Sequence, residues 1–391
     1  MRLHQSKIEK LISELCPNGV EFKTLDSVST KIFAGGTPST SKSDYYNGDI
    51  PWLRSGEINF NIIKSTEKTI TKQGFEKSSA RWVESNSVLL AMTGATVARS
   101  AVNQIPLTAN QSCCAIETNG NLLNYKFLYY FLAQNYRKLR SSAQGALTSL
   151  NLSMIKKIII PVPPITIQEE IVKILDNFTE LEAELEAELE ARKSQFDYYK
   201  KEMLAFADSV ELKSISEICQ INRGRVMSKD YLKENIGNYP VYSSQTANNG
   251  IFGCINTYDY DGEYITWTTD GAYAGSIFYR NGKFSITNVC GLLKVKSGDV
   301  NVKFLSYILA TVSKKYVSAG MGNPKIMSNV MEKIKIPIPP IDEQERIVST
   351  LDKFDALVND ISIGLPAELK ARRQQYEYYR NKLLTFKGLQ S

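Results

Sequence analysis

At 391 residues, with 43% apolar and 10% aromatic side chains, the chain has room for two or three domains that each bury a core, which excludes a mostly disordered protein. No run approaches the ~20 apolar residues of a membrane helix, and the six cysteines contain no Cys-x-x-Cys pair, as expected of reduced, buried thiols. The net charge of +6 is unevenly spread: 16 Lys/Arg face 9 Asp/Glu over 20–157 and 14 face 10 over 210–333, but only 5 face 11 over 158–206, so a polyanion should meet two basic domains and avoid an acidic connector.

In chain order, Met1 to Glu14 alternates charged and apolar residues with no continuous apolar run, which argues against a signal peptide and for a cytoplasmic chain. Residues 20–157 read as mixed α/β. Ser87 to Met92 (SVLLAM) is a strand pattern, Gly35-Gly36, Gly94 and Gly120 mark turns, and Lys126 to Arg140 predicts a helix. Pro161, Pro163 and Pro164 then fix an extended entry and exclude helix before them. Beyond them Ile171, Ile174, Leu175, Phe178, Leu181 and Leu185 recur at three- and four-residue spacing, predicting an unbroken helix from about Ile167 to Phe206. Such a helix is ~60 Å long and needs a partner.

Residues 208–333 repeat the mixed pattern, with Glu263 to Trp267 as a strand, Gly262, Gly271 and Gly282 at turns, and Lys303 to Lys315 as a helix. A second proline block follows, then Ile347, Leu351, Phe354 and Leu357 at helical spacing; Gly364 and Pro366 should split this helix in two.

The chain repeats itself. Residues 158–178 (IIIPVPPITIQEEIVKILDNF) match residues 334–354 (IKIPIPPIDEQERIVSTLDKF) at an offset of 176, and residues 195–206 (QFDYYKKEMLAF) match residues 375–386 (QYEYYRNKLLTF) at an offset of 180. Weaker echoes link Val20 to Lys23 with Val210 to Lys213, Asn124 to Leu128 with Asn301 to Leu305, and Lys7 to Val20 with Asp197 to Val210. The unit is a variable domain followed by a helical segment, used twice, with the chain start supplying a missing helix end. The expected fold class is α+β: two mixed α/β domains separated by a long antiparallel helical coiled coil, with a pseudo-twofold internal repeat and neighbouring termini. The expected boundaries are 1–19 for the completing helix, 20–157, 158–207, 208–333 and 334–391.

Catalytic chemistry is sparse. The one histidine, His4, leaves no basis for His-based nucleophilic catalysis or a His-ligated metal. There is no G-x-x-x-x-G-K-[ST] loop and no dinucleotide-binding glycine loop. Pro163-Pro164 and Pro339-Pro340 superficially suggest the Asp/Asn-Pro-Pro-aromatic motif of amino-methyltransferases, but Val162 or Ile338 precedes and Ile165 or Ile341 follows, so no group accepts from a target amine or stacks on a flipped base. Glu21-x-Lys23 and Glu211-x-Lys213 resemble the tail of a metal-nuclease motif; the first lacks an upstream aspartate, and both read better as exposed strand edges.

The duplicated I-P-x-P-P-I-x-x-Q-E-x-I-V motif at Ile160–Val172 and Ile336–Val348 resembles the specificity subunit of type I restriction–modification enzymes, across essentially the whole chain. Gly48 to Ile58, Leu90 to Thr96 and Asn110 to Ile116 are similar to recurrent blocks of that family's target recognition domains; Gly237 to Ser244, Thr266 to Ala274 and Thr287 to Cys290 match less closely. The resemblance implies a non-catalytic DNA reader. Each domain would read one half of a split double-stranded site, while the helices set the spacing and dock two methyltransferase subunits, joined by restriction (motor-nuclease) subunits. S-adenosylmethionine and ATP/Mg would belong to those partners, with no cofactor, metal or membrane for this chain.

The DNA-reading candidates are Arg54, Ser55, Thr93, Arg99, Asn110, Gln111 and Gln144 in the first domain. In the second they are Arg223, Arg225, Ser243, Ser244, Gln245, Thr269, Tyr273 and Asn288. Arginine pairs bidentately with guanine, Asn and Gln with adenine, and hydroxyls set the phosphate register. For methyltransferase docking the candidates are Gln168, Ile171, Leu175 and Phe178 with Gln344, Ile347, Leu351 and Phe354. Tandem Leu-Glu-Ala-Glu units from Leu181 to Ala191 suggest a helical ruler. The strongest rival reading is a stand-alone DNA-binding regulator; a second, a DNA methyltransferase, is disfavoured by the missing motifs.

Overall fold

The computed structural model describes residues 7–143, 149–207, 209–318, 322–360 and 362–389. The chain divides between two units, Met1–Leu185 with Leu369–Ser391, and Glu186–Glu368. His4 and Gln144 lie outside the described residues.

Unit 1 opens with α1 (Lys7–Leu15), β1 (Glu21–Thr24), β2 (Ser29–Ala34), β3 (Tyr46–Leu53), β4 (Ile62–Ile63), β5 (Thr69–Ile70) and α2 (Lys72–Glu76). It continues through β6 (Trp82–Val83), β7 (Val88–Ala91), β8 (Ser100–Asn103), β9 (Leu107–Ala109) and β10 (Cys113–Thr118). Three short helices, α3 (Tyr125–Gln134), α4 (Tyr136–Ser142) and α5 (Leu152–Lys156), lead to β11 (Ile159–Val162) and into α6 (Ile165–Met203). The strands form a five-stranded sheet in the order β2-β10-β7-β8-β4, a four-stranded sheet β5-β3-β9-β6, and the pair β1-β11. Strand β7, inside the expected strand Ser87 to Met92, is buried at every position, which suits its place in the middle of a covered sheet.

Helix α3 starts where Asn124 accepts from the backbone N–H groups of Lys126 at 2.9 Å and Phe127 at 3.3 Å, an N-cap. The single helix expected from Lys126 to Arg140 is two. Asn135 donates its amide to the Phe131 carbonyl at 2.9 Å and leaves helical geometry, a side chain competing with the backbone for the same acceptor.

Helix α6 runs 39 residues without a break, as the apolar spacing predicts. Its first part belongs to unit 1, where the C-terminal helix lies antiparallel against it. Phe178 packs on Tyr376 and Tyr379, with ring centroids 6.1 and 5.6 Å away, and Glu182 accepts from Arg373 at 2.6 Å. The end of the chain then closes the same unit: Phe386 meets Phe127 at 6.3 Å, and Val20 donates its N–H to the Lys387 carbonyl at 2.9 Å.

Unit 2 holds the rest of α6, then β12 (Leu212–Ser214), α7 (Ile215–Ile218), β13 (Cys219–Arg223), α8 (Lys229–Glu234), β14 (Ile236–Tyr242), β15 (Ile251–Ile255), β16 (Tyr260–Thr268), β17 (Ile277–Ile286) and β18 (Cys290–Val295). Helices α9 (Val302–Val312) and α10 (Ser328–Met331), strand β19 (Lys335–Pro337) and helix α11 (Ile341–Asn359) follow, and α12 (Leu365–Leu383) begins in this unit. The strands make one six-stranded sheet, β13-β18-β16-β17-β14-β15, and the pair β12-β19. The second helical copy is split near Gly364 and Pro366, as expected. Unit 2 repeats the aromatic clasp of unit 1: Phe354 packs on Phe196 at 6.4 Å and Tyr199 at 5.5 Å, and Phe206 meets Phe304 at 6.0 Å. Tyr376 and Tyr379 thus do in unit 1 what Phe196 and Tyr199 do in unit 2, so each unit takes the end of its clasp from the other copy of the repeat.

Candidate nucleic-acid interface

Five backbone hydrogen bonds recur in both units and converge the same loops. Gly35 donates to the Cys113 carbonyl and Gly224 to that of Cys290; Asn110 donates to Leu53 and Thr287 to Tyr242; Met92 donates to Ser112 and Thr269 to Val289. Leu150 donates to Met92 and Ile326 to Thr269, while Cys113 and Cys290 donate back to Asn110 and Thr287. These bonds span 2.8 to 3.4 Å and gather the ends of β3, β7 and β9 in one unit, and of β14, β16 and β17 in the other. The approach is tight. A Cβ added to Gly35 would stand 2.1 Å from the Ala109 oxygen, and one on Gly224 would stand 2.1 Å from the Ile286 oxygen, so only glycine fits either place. Loops held on rigid sheets in this way can vary their side chains without disturbing the core.

In unit 1 the convergence assembles Arg54, Ser55, Thr93, Asn110 and Gln111. Arg54 follows β3 and pairs with Glu67, and its N–H donates to Glu57 at 2.9 Å. Ser55 sits half-buried in the turn 55–57, and Thr93 bridges Ser149. Asn110 turns its side chain inward, accepting from the Ser112 N–H at 3.2 Å and the Cys113 thiol at 3.1 Å. Gln111 is exposed and accepts the Thr37 hydroxyl. Arg99, after the Gly94 turn, donates to Asn59 at 2.8 Å. Arg140 joins it through Tyr136, whose phenol is held below its ordinary pKa chiefly by the Arg140 hydrogen bond, with Arg99 adding to it. Arg140 was not among the expected residues; its i,i+4 spacing from Tyr136 was the available signal.

In unit 2 the cluster is Arg223, Arg225, Ser243, Thr269 and Asn288. Arg223 donates to the Asn288 carbonyl at 2.5 Å and the Thr269 hydroxyl at 3.3 Å. Arg225 reaches Asp259 at 3.1 Å and the Tyr231 hydroxyl at 3.2 Å, and these two partners hold its guanidinium above the ordinary pKa. Ser243 accepts from Thr287 at 3.0 Å, Gln245 donates to the Ile251 carbonyl, Ser244 is half-buried, and Tyr273 is exposed. Below this loop the buried Arg280 lies 3.6 Å from the Tyr242 ring centroid and donates to Thr266 at 3.1 Å; burial lowers its pKa. Arg280 went unread in the sequence because nothing local marks an arginine for burial.

Two expectations need correction. Thr269 is 1% exposed and donates its hydroxyl to the Val289 carbonyl at 2.9 Å, so it supports Arg223 and does not face a base. Six docking candidates, Gln168, Ile171, Leu175, Gln344, Ile347 and Leu351, are wholly buried in the chain's own cores. The amphipathic stripe is satisfied internally, and Phe178 and Phe354 are half-buried in the aromatic clasps. The apolar side chains these helices leave exposed are others, among them Leu181, Tyr198, Leu357 and Tyr378. Among the described residues no helix is long and apolar enough to cross a membrane, and no group of three or more His, Cys, Asp or Glu side chains could hold a metal.

Two stretches, 17–191 and 208–371, match the family model described as the type I restriction modification DNA specificity domain. The chain is 32% identical over 386 residues to the specificity subunit of the type I restriction enzyme EcoprrI of Escherichia coli, covering 91% of this chain and 92% of that one. It is 41% identical over 204 residues to the specificity subunit of the type I restriction enzyme MpnII of Mycoplasma pneumoniae, covering 50% and 62%. Its fold is similar to that of a type I restriction–modification S subunit from M. genitalium, with a TM-score of 0.59 at 16% identity over 94% and 96% of the two chains.

Proposed function

The chain belongs to the type I restriction–modification specificity family, and from that membership we propose that each unit reads one half of a split DNA site through its converged loops. As a sequence-recognition subunit of a type I complex, it binds DNA and associates with other subunits of that complex. The finer reading gives the first half-site to the loops of Arg54, Thr93, Asn110 and Gln111, and the second to those of Arg223, Ser243, Tyr273 and Asn288. The observation that carries it is the recurrence of the same five backbone bonds in both units, each set presenting Arg, Asn, Gln or hydroxyl side chains suited to base edges and phosphates.

Two methyltransferase subunits would dock on the helices, at exposed side chains such as Leu181, Tyr198, Leu357 and Tyr378, with restriction subunits joining them in the cytoplasm. S-adenosylmethionine and ATP/Mg would be bound by those partners, which would methylate adenine N6 in each half-site or cleave unmodified DNA. Mapping adenine methylation with the gene present and deleted tests the reading. A bipartite methylated motif that vanishes with the gene supports it, and an unchanged methylome overturns it.

A further inference from the structure

The two reading clusters differ at one matched pair of positions. Two residues after the close-packed glycine stands Thr37 in unit 1 and Val226 in unit 2; two residues before the matched cysteine stands Gln111 in unit 1 and Asn288 in unit 2. In unit 1 the Thr37 hydroxyl donates to the Gln111 side chain, so each occupies the other. Valine has no hydroxyl, and in unit 2 that bond is gone. Val226 is left 80% exposed, the most open large apolar side chain among the described residues. Asn288 is exposed too; its carbonyl takes the Arg223 guanidinium, and no described residue hydrogen-bonds its amide side chain. Arg225 pairs in a parallel bridge with Thr287, which brings together the two loops that carry Val226 and Asn288.

An exposed isopropyl group and an unengaged carboxamide on adjoining loops have direct counterparts in the major groove, where thymine offers a C5-methyl and adenine offers N6–H and N7. We infer that Val226 and Asn288 determine specificity in the second half-site, Val226 packing on a thymine methyl and Asn288 pairing with an adjacent adenine. This rests on the reading of unit 2 as a half-site reader. Arg223 and Arg225 contribute by anchoring the two loops, since both are engaged by protein partners. In unit 1 the Thr37–Gln111 bond takes up the Gln111 side-chain oxygen and leaves its amide N–H groups to donate, so the two half-sites are read by different chemistry from one backbone frame.

The test uses the complex assembled with its methyltransferase subunits and duplexes carrying the mapped site. Each thymine of the second half-site is replaced in turn by deoxyuridine, which lacks only the methyl, and affinity is read by fluorescence anisotropy. The wild-type complex should lose about fourfold at one thymine, the equivalent of one buried methyl, and Val226→Ser should be indifferent to that replacement. Asn288→Ala should relax the adenine preference at the neighbouring position and leave the first half-site unchanged. A wild-type complex indifferent to deoxyuridine throughout the second half-site, or a half-site without thymine on either strand, overturns the inference while the half-site reading stands. Sensitivity that persists in Val226→Ser also overturns it. A complex that recognises no split site removes the reading beneath it as well.

Discussion

The Gln168 side-chain oxygen accepts the backbone N–H of Asn124 at 2.8 Å, across 44 residues of chain. The same amide donates to the Leu122 and Pro163 carbonyls, each at 2.8 Å. Gln344 repeats the arrangement on Asn301, Asp299 and Pro339. One buried glutamine per unit thus ties the proline entry of the long helix to the loop before the preceding helix. Replacing Gln168 or Gln344 by Ala strands three backbone groups. Each buried unsatisfied group costs about 1–3 kcal/mol, so a loss of about 3 kcal/mol or more is expected in urea unfolding, localised to one unit by hydrogen exchange. Lys126→Met should cost under about 1 kcal/mol, because its ion pair with Asp176 at 2.6 Å is a third exposed on both sides.

Arg99→Ala should weaken binding to duplexes with an intact first half-site by about 10- to 100-fold, the value of a lost bidentate arginine. It should leave discrimination within the second half-site unaltered, and Arg223→Ala, which releases the Asn288 loop from its anchor, should weaken the second half-site and spare the first. Titrations with either half-site scrambled separate the two; loss of both discriminations from one substitution would count against independent readers.

The buried thiols set an alkaline limit on stability. Burial raises Cys113, Cys114, Cys219 and Cys290 to about 12 from an ordinary value of 9.0. A raised pKa means the folded state favours the protonated form, so this contribution is intact below pH 9 and fades as pH climbs toward 12. Thermal unfolding temperatures should therefore fall across that window. At pH 8 iodoacetamide should modify Cys254, the exposed thiol, well before these four, as mass spectrometry would show.

Deleting Leu185–Glu188 removes four residues from α6, ~6 Å of helix and ~40° of rotation. Against ~3.4 Å per base pair, the recognised site should lose one or two base pairs of non-specific spacer, with both half-sites unchanged. Methylome sequencing that returned the original spacer would rule out the helix as a ruler.

Much of this protein is written in local pattern. Proline blocks, three- and four-residue apolar spacing and the duplicated I-P-x-P-P-I motif are properties of short stretches, and they determined the unbroken α6, the split after Asn359 and the family. Backbone dihedrals and helical periodicity act over a few residues, so such features survive without knowledge of the fold. Tertiary structure alone decided what each polar side chain does. Gln168 reads as an exposed helix residue until loops more than 40 residues away bury it, and Thr269 reads as a base contact until Val289 takes its hydroxyl. Phe386 closes on Phe127 across most of the chain. The reason is that burying a polar group depends on partners brought by chain closure, and no local spacing encodes which distant carbonyl or amide will arrive.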